Sequence, residues 1–177
     1  MAPDFTLTAA DGTDYTLAEL QGKTVVLEWL NYGCPYVQKY YDAGAMQDLQ
    51  SEYASGDDVV WLSVVSSAPG EQGYYEPADM MTETEARGGN QTAVLLDASG
   101  DVGRLYGAKT TPQMFVISPE GEVVYNGAID DQPVTNPESL DGATNYLVSA
   151  MQALDAGQPA NPDRTVPYGC SVKYADA

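Results

Sequence analysis

The stretch that most limits what this chain can fold into is Thr24-Val-Val-Leu-Glu-Trp-Leu30, which runs directly into Asn31-Tyr-Gly-Cys-Pro-Tyr-Val37. The first half reads as an apolar run. Val25 to Leu30 is then a strand covered on both faces, as a central parallel strand between two layers of helices is. Pro35 fits the first position of a helix, where its missing N–H breaks no bond. Cys34 therefore stands at the corner between a buried strand and a helix start. Free amide N–H groups and the positive end of the helix dipole favour a thiolate there, and the strand holds the sulfur at the carboxyl edge of the sheet. The plain alternative is a buried structural thiol, since free cysteines are among the most buried residues.

The rest of the chain supplies neighbours for that strand. Asp11-Gly12, between Phe5-Thr-Leu7 and Asp14-Tyr-Thr-Leu17, reads as a hairpin turn followed by a short helix at Leu17 to Leu20. Val37, Tyr41, Ala45 and Leu49 recur at helical spacing up to Ser55-Gly56, with Gly44 a candidate kink. Val59-Val-Trp-Leu-Ser-Val-Val65 reads as a second buried strand and completes a right-handed βαβ unit. Ser66 to Pro77 reads as a loop, Ala78 to Arg87 as a helix, Ala93 to Leu96 as a short strand and Val102 to Tyr106 as a helical turn or two. Lys109-Thr-Thr-Pro-Gln-Met-Phe-Val-Ile117 enters a strand through Pro112, and Ser118-Pro-Glu-Gly121 turns it back into an antiparallel partner, Val123 to Tyr125. Leu140, Tyr146, Leu147, Ala150, Met151 and Leu154 give the last helix an apolar face. From Gly157 a Pro-rich tail leads to Tyr168-Gly-Cys-Ser-Val-Lys-Tyr174, whose aromatics and Val172 predict that it docks on the body. The expected organisation is one domain over residues 1–156 with a docked tail over 157–177, long enough to bury a core.

Composition narrows the chemistry. With 26 acidic against 7 basic residues and a formal net charge of -19, the chain lacks the clustered Lys and Arg that nucleic acid or an anionic membrane face requires. The acidity reads as a solvated surface, and Asp97-Ala-Ser-Gly-Asp101 is too sparse for a calcium loop. No stretch reaches the roughly 20 apolar residues of a membrane helix, so no membrane insertion is expected. Met1-Ala-Pro-Asp-Phe-Thr-Leu7 has neither the basic start nor the apolar core of a signal peptide, as in a cytosolic protein or one that begins after a removed leader. The chain has no histidine, which excludes Ser-His-Asp and Cys-His hydrolysis and His-bearing zinc sites. Two distant cysteines cannot make a four-sulfur cage, so no metal and no cofactor is called for and thiol chemistry remains.

Cys170, the second cysteine, lies inside the aromatic-flanked tail segment and invites pairing with Cys34, the alternative being a lone tail thiol. If the two bond, the closed loop is long enough for the chain-entropy model to give about 5 kcal/mol of stabilisation. Such a bond is either a structural clasp or the oxidised half of a catalytic cycle. Lys39 points about 140° around the helix from Cys34 and reads as solvated.

The order of elements, together with Ala2-Pro-Asp-Phe-Thr-Leu7, Asn31-Tyr-Gly-Cys-Pro-Tyr-Val37, Lys109-Thr-Thr-Pro112, Gly127-Ala-Ile-Asp-Asp131 and Tyr168-Gly-Cys-Ser-Val-Lys173, resembles the peroxiredoxin-like subgroup of the redoxin (alkyl hydroperoxide reductase and thiol-specific antioxidant) superfamily. The likeness runs over essentially the whole chain. It implies an α/β thioredoxin-like fold, with a central mixed β-sheet, helices on both faces and an N-terminal β-hairpin. It further implies a cis Pro112 facing Cys34, with Thr111 presenting its backbone to a bound thiol or peptide. A mature extracytoplasmic form, periplasmic or secreted rather than cytoplasmic, is also implied. The chain departs from the family pattern at Val37, which stands where a thioredoxin carries the second cysteine of Cys-x-x-Cys and denies Cys34 a local partner. Leu27 and Asn31 stand where the Pro-x-x-x-Thr-x-x-Cys of a peroxiredoxin has proline and threonine.

Two readings of function rest on these residues. In the first, Cys34 attacks a disulfide or a peroxide and Cys170 resolves the mixed disulfide or sulfenic acid. Asn31 would hydrogen-bond the sulfur, Pro35 and the helix start would lower the thiol pKa, and Thr111 and Pro112 would complete the substrate site. The partner is then a thiol or disulfide protein, or a peroxide, and the electron donor leaves no mark in the sequence. In the second, the chain is a non-catalytic binding or structural protein whose Cys34–Cys170 bond clasps the tail.

Overall fold

The apolar run forms β3 (Thr24–Trp29), buried along its whole length in the computed structural model, which describes residues 1–175. On one side β3 pairs in parallel with β4 (Val59–Val65), and on the other it pairs antiparallel with β7 (Gln113–Ile117). The strand is therefore central but has one parallel neighbour, not two. With β1 (Thr6–Ala9), β2 (Asp14–Thr16), β5 (Ala93–Leu96) and β8 (Val123–Gly127), the sheet runs β2-β1-β5-β4-β3-β7-β8. It is mixed, and the β1–β2 hairpin lies at one edge.

Side chains alternate across a strand, so a strand buried on both faces feeds two cores. Val26 and Leu30, with Trp61, Met114 and Val116, meet Val37, Met46, Met80 and Leu147 from α1 (Pro35–Asp42), α2 (Ala45–Ala54), α3 (Pro77–Ala86) and α5 (Tyr146–Asp155). Val25, Leu27 and Trp29, with Leu62 and Phe115, face Phe5, Leu17, Val172 and the Val102 and Tyr106 side chains of α4 (Asp101–Tyr106). Full burial of such a side chain is worth about 1.5–3 kcal/mol, so these two clusters carry most of the drive to fold. Helices thus lie on both faces, as the resemblance implied.

Two boundaries differ from the sequence reading. The long helix after Cys34 is two helices, because Gly44 takes a left-handed conformation (φ 74°) that stops the helical ladder. What reads as a kink is a complete break. The last helix begins at Tyr146, not near Leu140, which lies in a separate 3-10 turn (Pro137–Leu140). Tyr146 N donates to Ile129 O at 2.8 Å and Asn145 Oδ1 caps Val148 N at 3.0 Å, which fixes the start of α5 from outside the helix.

The tail returns to the body. β9 (Cys170–Ser171) pairs antiparallel with β6 (Thr110–Thr111), bringing Cys170 opposite Thr111, and Val172 N donates to Lys109 O at 3.0 Å.

Candidate redox site

Cys34 is the cap of α1, with extended backbone (φ -82°, ψ 126°), and its carbonyl accepts from Val37 N at 3.0 Å and Gln38 N at 2.9 Å. Pro35 opens the helix at a position where its missing N–H breaks no bond, and the Tyr36 amide, lying in the first turn, has no acceptor within the helix. Cys34 Sγ is bonded to Cys170 Sγ across 136 residues, with the Cα atoms 6.0 Å apart, inside the usual span of a disulfide. The two sulfurs are unequal in access: Cys34 is 0% exposed, whereas Cys170 is partly exposed.

The Thr111–Pro112 peptide bond is cis, and both residues are buried beside the disulfide. Thr111 O lies 3.3 Å from Cys34 Sγ. In the disulfide that is a contact between a sulfur without a proton and a carbonyl, but in the dithiol form the Cys34 thiol would donate to it. The carbonyl therefore favours thiol while the helix start favours thiolate, and the two oppose each other across one sulfur. Gly169 makes the close approach of the tail feasible. Its φ is 137°, and a Cβ there would collide with Thr111 O.

A second anchor sits one step before that glycine. Tyr168 OH and Tyr40 OH each donate to one oxygen of Asp130, and the Tyr168 ring meets Tyr36 edge-on at 5.6 Å between centroids. Lys39 Nζ lies 4.0 Å from Asp130 Oδ2 and donates to Val134 O (2.8 Å) and Gln132 O (3.1 Å), with Ser139 Oγ and Tyr168 OH at 3.3 and 3.4 Å. Lys39 is thus buried, which corrects its reading as a solvated side chain. The angle around α1 pointed it away from Cys34, but the segment around Asp130–Ser139 folds over that side of the helix. Burial pushes the Lys39 ammonium below its usual pKa, and the Asp130 carboxylate offsets part of this. Burial first, and the bond to Asp130 second, push both phenols well above the usual tyrosine range, so they remain donors. One helix therefore presents Cys34 and also grips the residue two before Cys170.

Of the residues expected at the site, Cys34, Cys170, Thr111 and Pro112 come together. Pro35 is exposed at the start of α1. Asn31 is buried, with Oδ1 accepting from Gly33 N at 2.8 Å and Nδ2 donating to Gln72 Oε1 at 3.1 Å, so its amide shapes the turn that delivers Cys34. The sequence reading missed Glu28, which lies inside the run taken as apolar and is 0% exposed. It accepts from Ser63 Oγ (2.8 Å), Trp61 Nε1 (2.9 Å) and Tyr41 OH (2.8 Å), with Gln50 Nε2 at 3.4 Å. Burial raises its pKa against the pull of these four donors. A lone carboxylate in a strand otherwise covered on both faces was the available signal.

A Redoxin family model matches residues 1–143, ending before the tail that carries Cys170. No curated protein is similar enough to count as a match. Among solved structures, the chain is similar to the hypothetical protein SMc02350 from Sinorhizobium meliloti 1021, with 26% identity, 99% of this chain and 93% of that one covered, and a TM-score of 0.82. It is similar to an uncharacterized conserved protein from Geobacillus kaustophilus, with 25% identity, 99% and 91% covered, and a TM-score of 0.81. It is also similar to the exposed lipoprotein thioredoxin Etrx1 from Streptococcus pneumoniae strain TIGR4, with 25% identity, 87% and 99% covered, and a TM-score of 0.59. The fold is therefore thioredoxin-like, built around a cysteine pair at disulfide distance. With that sheet, that cysteine corner and four-fifths of its length under the matching model, the chain belongs to the Redoxin family.

Proposed function

We propose that the protein is a thiol–disulfide oxidoreductase in which Cys34 is the nucleophile and Cys170 the resolving cysteine. The observation that carries this reading is the tail itself. A short extended segment holding a cysteine lies antiparallel on Thr110–Thr111 and is bonded through that cysteine to Cys34. The arrangement has the form of a peptide in mixed disulfide with the helix-capping sulfur, with the tail in the place of the peptide.

The cycle follows from access and leaving-group chemistry. With Cys34 buried beneath the tail, an incoming reducing thiolate meets Cys170 first. Attack on Cys170 breaks the S–S bond toward Cys34, whose departing thiolate is favoured by the helix start and opposed by the Thr111 carbonyl. A second thiolate attacks the donor sulfur of the mixed disulfide and frees Cys170. Once the bond is reduced, the tail exchanges between docked and lifted states on Thr110–Thr111, and a partner disulfide takes its place when it lifts. Cys34 attacks that disulfide, and Cys170 returns to expel the partner's thiol and restore the Cys34–Cys170 bond. Asn31 and Pro35 hold the corner, and Thr111 and Pro112 form the wall against which the partner's cysteine lies. The partner is a protein disulfide or thiol, and the electron donor is itself a thiol.

An extracytoplasmic setting fits this reading. Disulfides persist in oxidising compartments, and one similar structure is described as an exposed lipoprotein thioredoxin. Among the described residues, no helix is long and apolar enough to cross a membrane.

The test is the reduction potential of the Cys34–Cys170 couple, together with turnover of a peptide disulfide and of a peroxide by wild type, Cys34→Ser and Cys170→Ser. The expected result is a potential above about -300 mV, no turnover by Cys34→Ser, and a stalled mixed disulfide in Cys170→Ser. A more negative potential with no turnover assigns the bond to a clasp. Peroxide consumed in preference to the disulfide assigns the site to peroxide chemistry.

A further inference from the structure

Beside β6 lies a groove of about 650 Å³, lined by Tyr106, Gly107, Lys109, Thr110, Gln113, Asn126 and the tail residues 164–167. Its charge runs against the rest of the molecule. In a chain with 26 acidic and 7 basic residues, the lining includes two of the cations, Lys109 and Arg164, and no carboxylate. Both cations are exposed, and among the described residues neither pairs with an acid. The wall supplies hydrogen-bonding groups at Gln113 and Asn126, which bond each other at 3.0 Å. Thr110 Oγ1 is buried without a partner, a state that costs a hydroxyl free energy unless something bonds it. The groove also abuts the redox site, because Thr110 is opposite Ser171 and Thr111 is opposite Cys170.

We propose that this groove binds an extended acidic segment of the redox partner, with its carboxylates on Lys109 and Arg164. This rests on the oxidoreductase reading for the identity of the partner, but not for the binding itself. The net charge of -19 does not preclude it. At physiological ionic strength, charges farther than about 8 Å are largely screened, so the distant surface acids weigh little in the groove, and the two cations there act against the short-range opposition of exposed Asp163, next to Arg164 in the chain. Charge complementarity of this kind acts on partner choice and on-rate more than on raw affinity. In a molecule that otherwise repels acidic chains, the groove is where an acidic partner is accepted, next to the sulfur it must reach.

The experiment uses the full-length oxidised protein and two fluorescent hexapeptides without cysteine, one rich in Asp and Glu, the other with Asn and Gln at the same positions. Anisotropy at about 0.15 M salt should show the acidic peptide binding at least roughly tenfold more tightly than its amide twin. The preference should disappear in the double variant Lys109→Glu, Arg164→Glu. It should survive Lys23→Glu, which alters a cation outside the groove. Equal binding of the two peptides, no binding, or an equal loss in the Lys23 variant would overturn the proposal. So would an oligomer that forms with rising protein concentration and is abolished by the double variant, since the occupant would then be a second copy. The same acidic peptide carrying a disulfide, offered to the protein after its Cys34–Cys170 bond has been reduced so that Cys34 can attack it, separates this inference from the functional reading. Binding without exchange leaves the groove and removes the oxidoreductase, whereas exchange without charge preference does the reverse.

Discussion

Glu28 and Lys39 are ionisable groups in places where burial works against their charge, and they are solved differently. Lys39 keeps three short-range acceptors and a carboxylate nearby, so its cost is offset locally. Glu28 has donors but no cation among its partners, and its pKa rises above the ordinary 4.5. A carboxyl with a raised folded pKa binds its proton more tightly in the folded state than in the unfolded chain. Its contribution to stability is fully present below about pH 4.5 and is lost as pH rises through the raised value. Urea unfolding of wild type and Glu28→Gln at stepped pH isolates this from the general charge of the surface. The stability of wild type relative to the variant should fall as pH rises from 4.5, and a difference that stays flat with pH would show that the carboxyl is not perturbed. The residue was visible in the sequence, but its burial was not, because the same Glu on an edge strand would have pointed to water.

At the level of elements, the decisive contact is between two of the shortest strands, β6 and β9. Neither has the length or alternation that a pattern reading detects, and each has two residues. Their pairing depends on Gly169, the one residue of the approach that needs φ of 137° and no side chain. An L-residue in so sparsely populated a conformation costs on the order of 1–3 kcal/mol before any collision is counted. Gly169→Ala should therefore loosen the tail, and in the reduced protein Cys34 should be alkylated at least roughly tenfold faster than in wild type, since each 1.4 kcal/mol is a factor of ten. An unchanged alkylation rate would mean that Tyr168 and Val172 hold the tail without β9. The longer elements were legible because each repeats its pattern over several residues. The break at Gly44 was legible only as a weak point, since one glycine bends or ends a helix according to what packs beyond it.

Taken as a whole, the molecule is two apolar clusters on either side of a seven-stranded sheet, with the far end of the chain returned to its middle. Val172 is buried in one cluster while Cys170 packs against the other, so the tail bridges the edge of the sheet. A bond that spans 136 residues restricts most of the unfolded chain. Reduction under conditions that leave the fold intact should lower the free energy of urea unfolding by up to about 5 kcal/mol, the chain-entropy value for so long a loop. A loss below about 1 kcal/mol would indicate that the tail detaches before the body unfolds, so that the cross-link restrains little.

The sequence alone determined the order of the longer strands and helices, the hairpin, the covered central strand and the strand-to-helix corner at Cys34. These depend on periodicity, on proline and glycine chemistry and on helix ends, all of which act over a few neighbouring residues. It also supplied both cysteines and the motif around each, but not their union. Whether Cys170 reaches Cys34, whether Lys39 and Glu28 are wet or dry, and whether Lys109 and Arg164 face a shared groove are outcomes of closing long loops and removing water. Those free energies belong to pairs of segments far apart in the chain, and only the tertiary structure brings the pairs together.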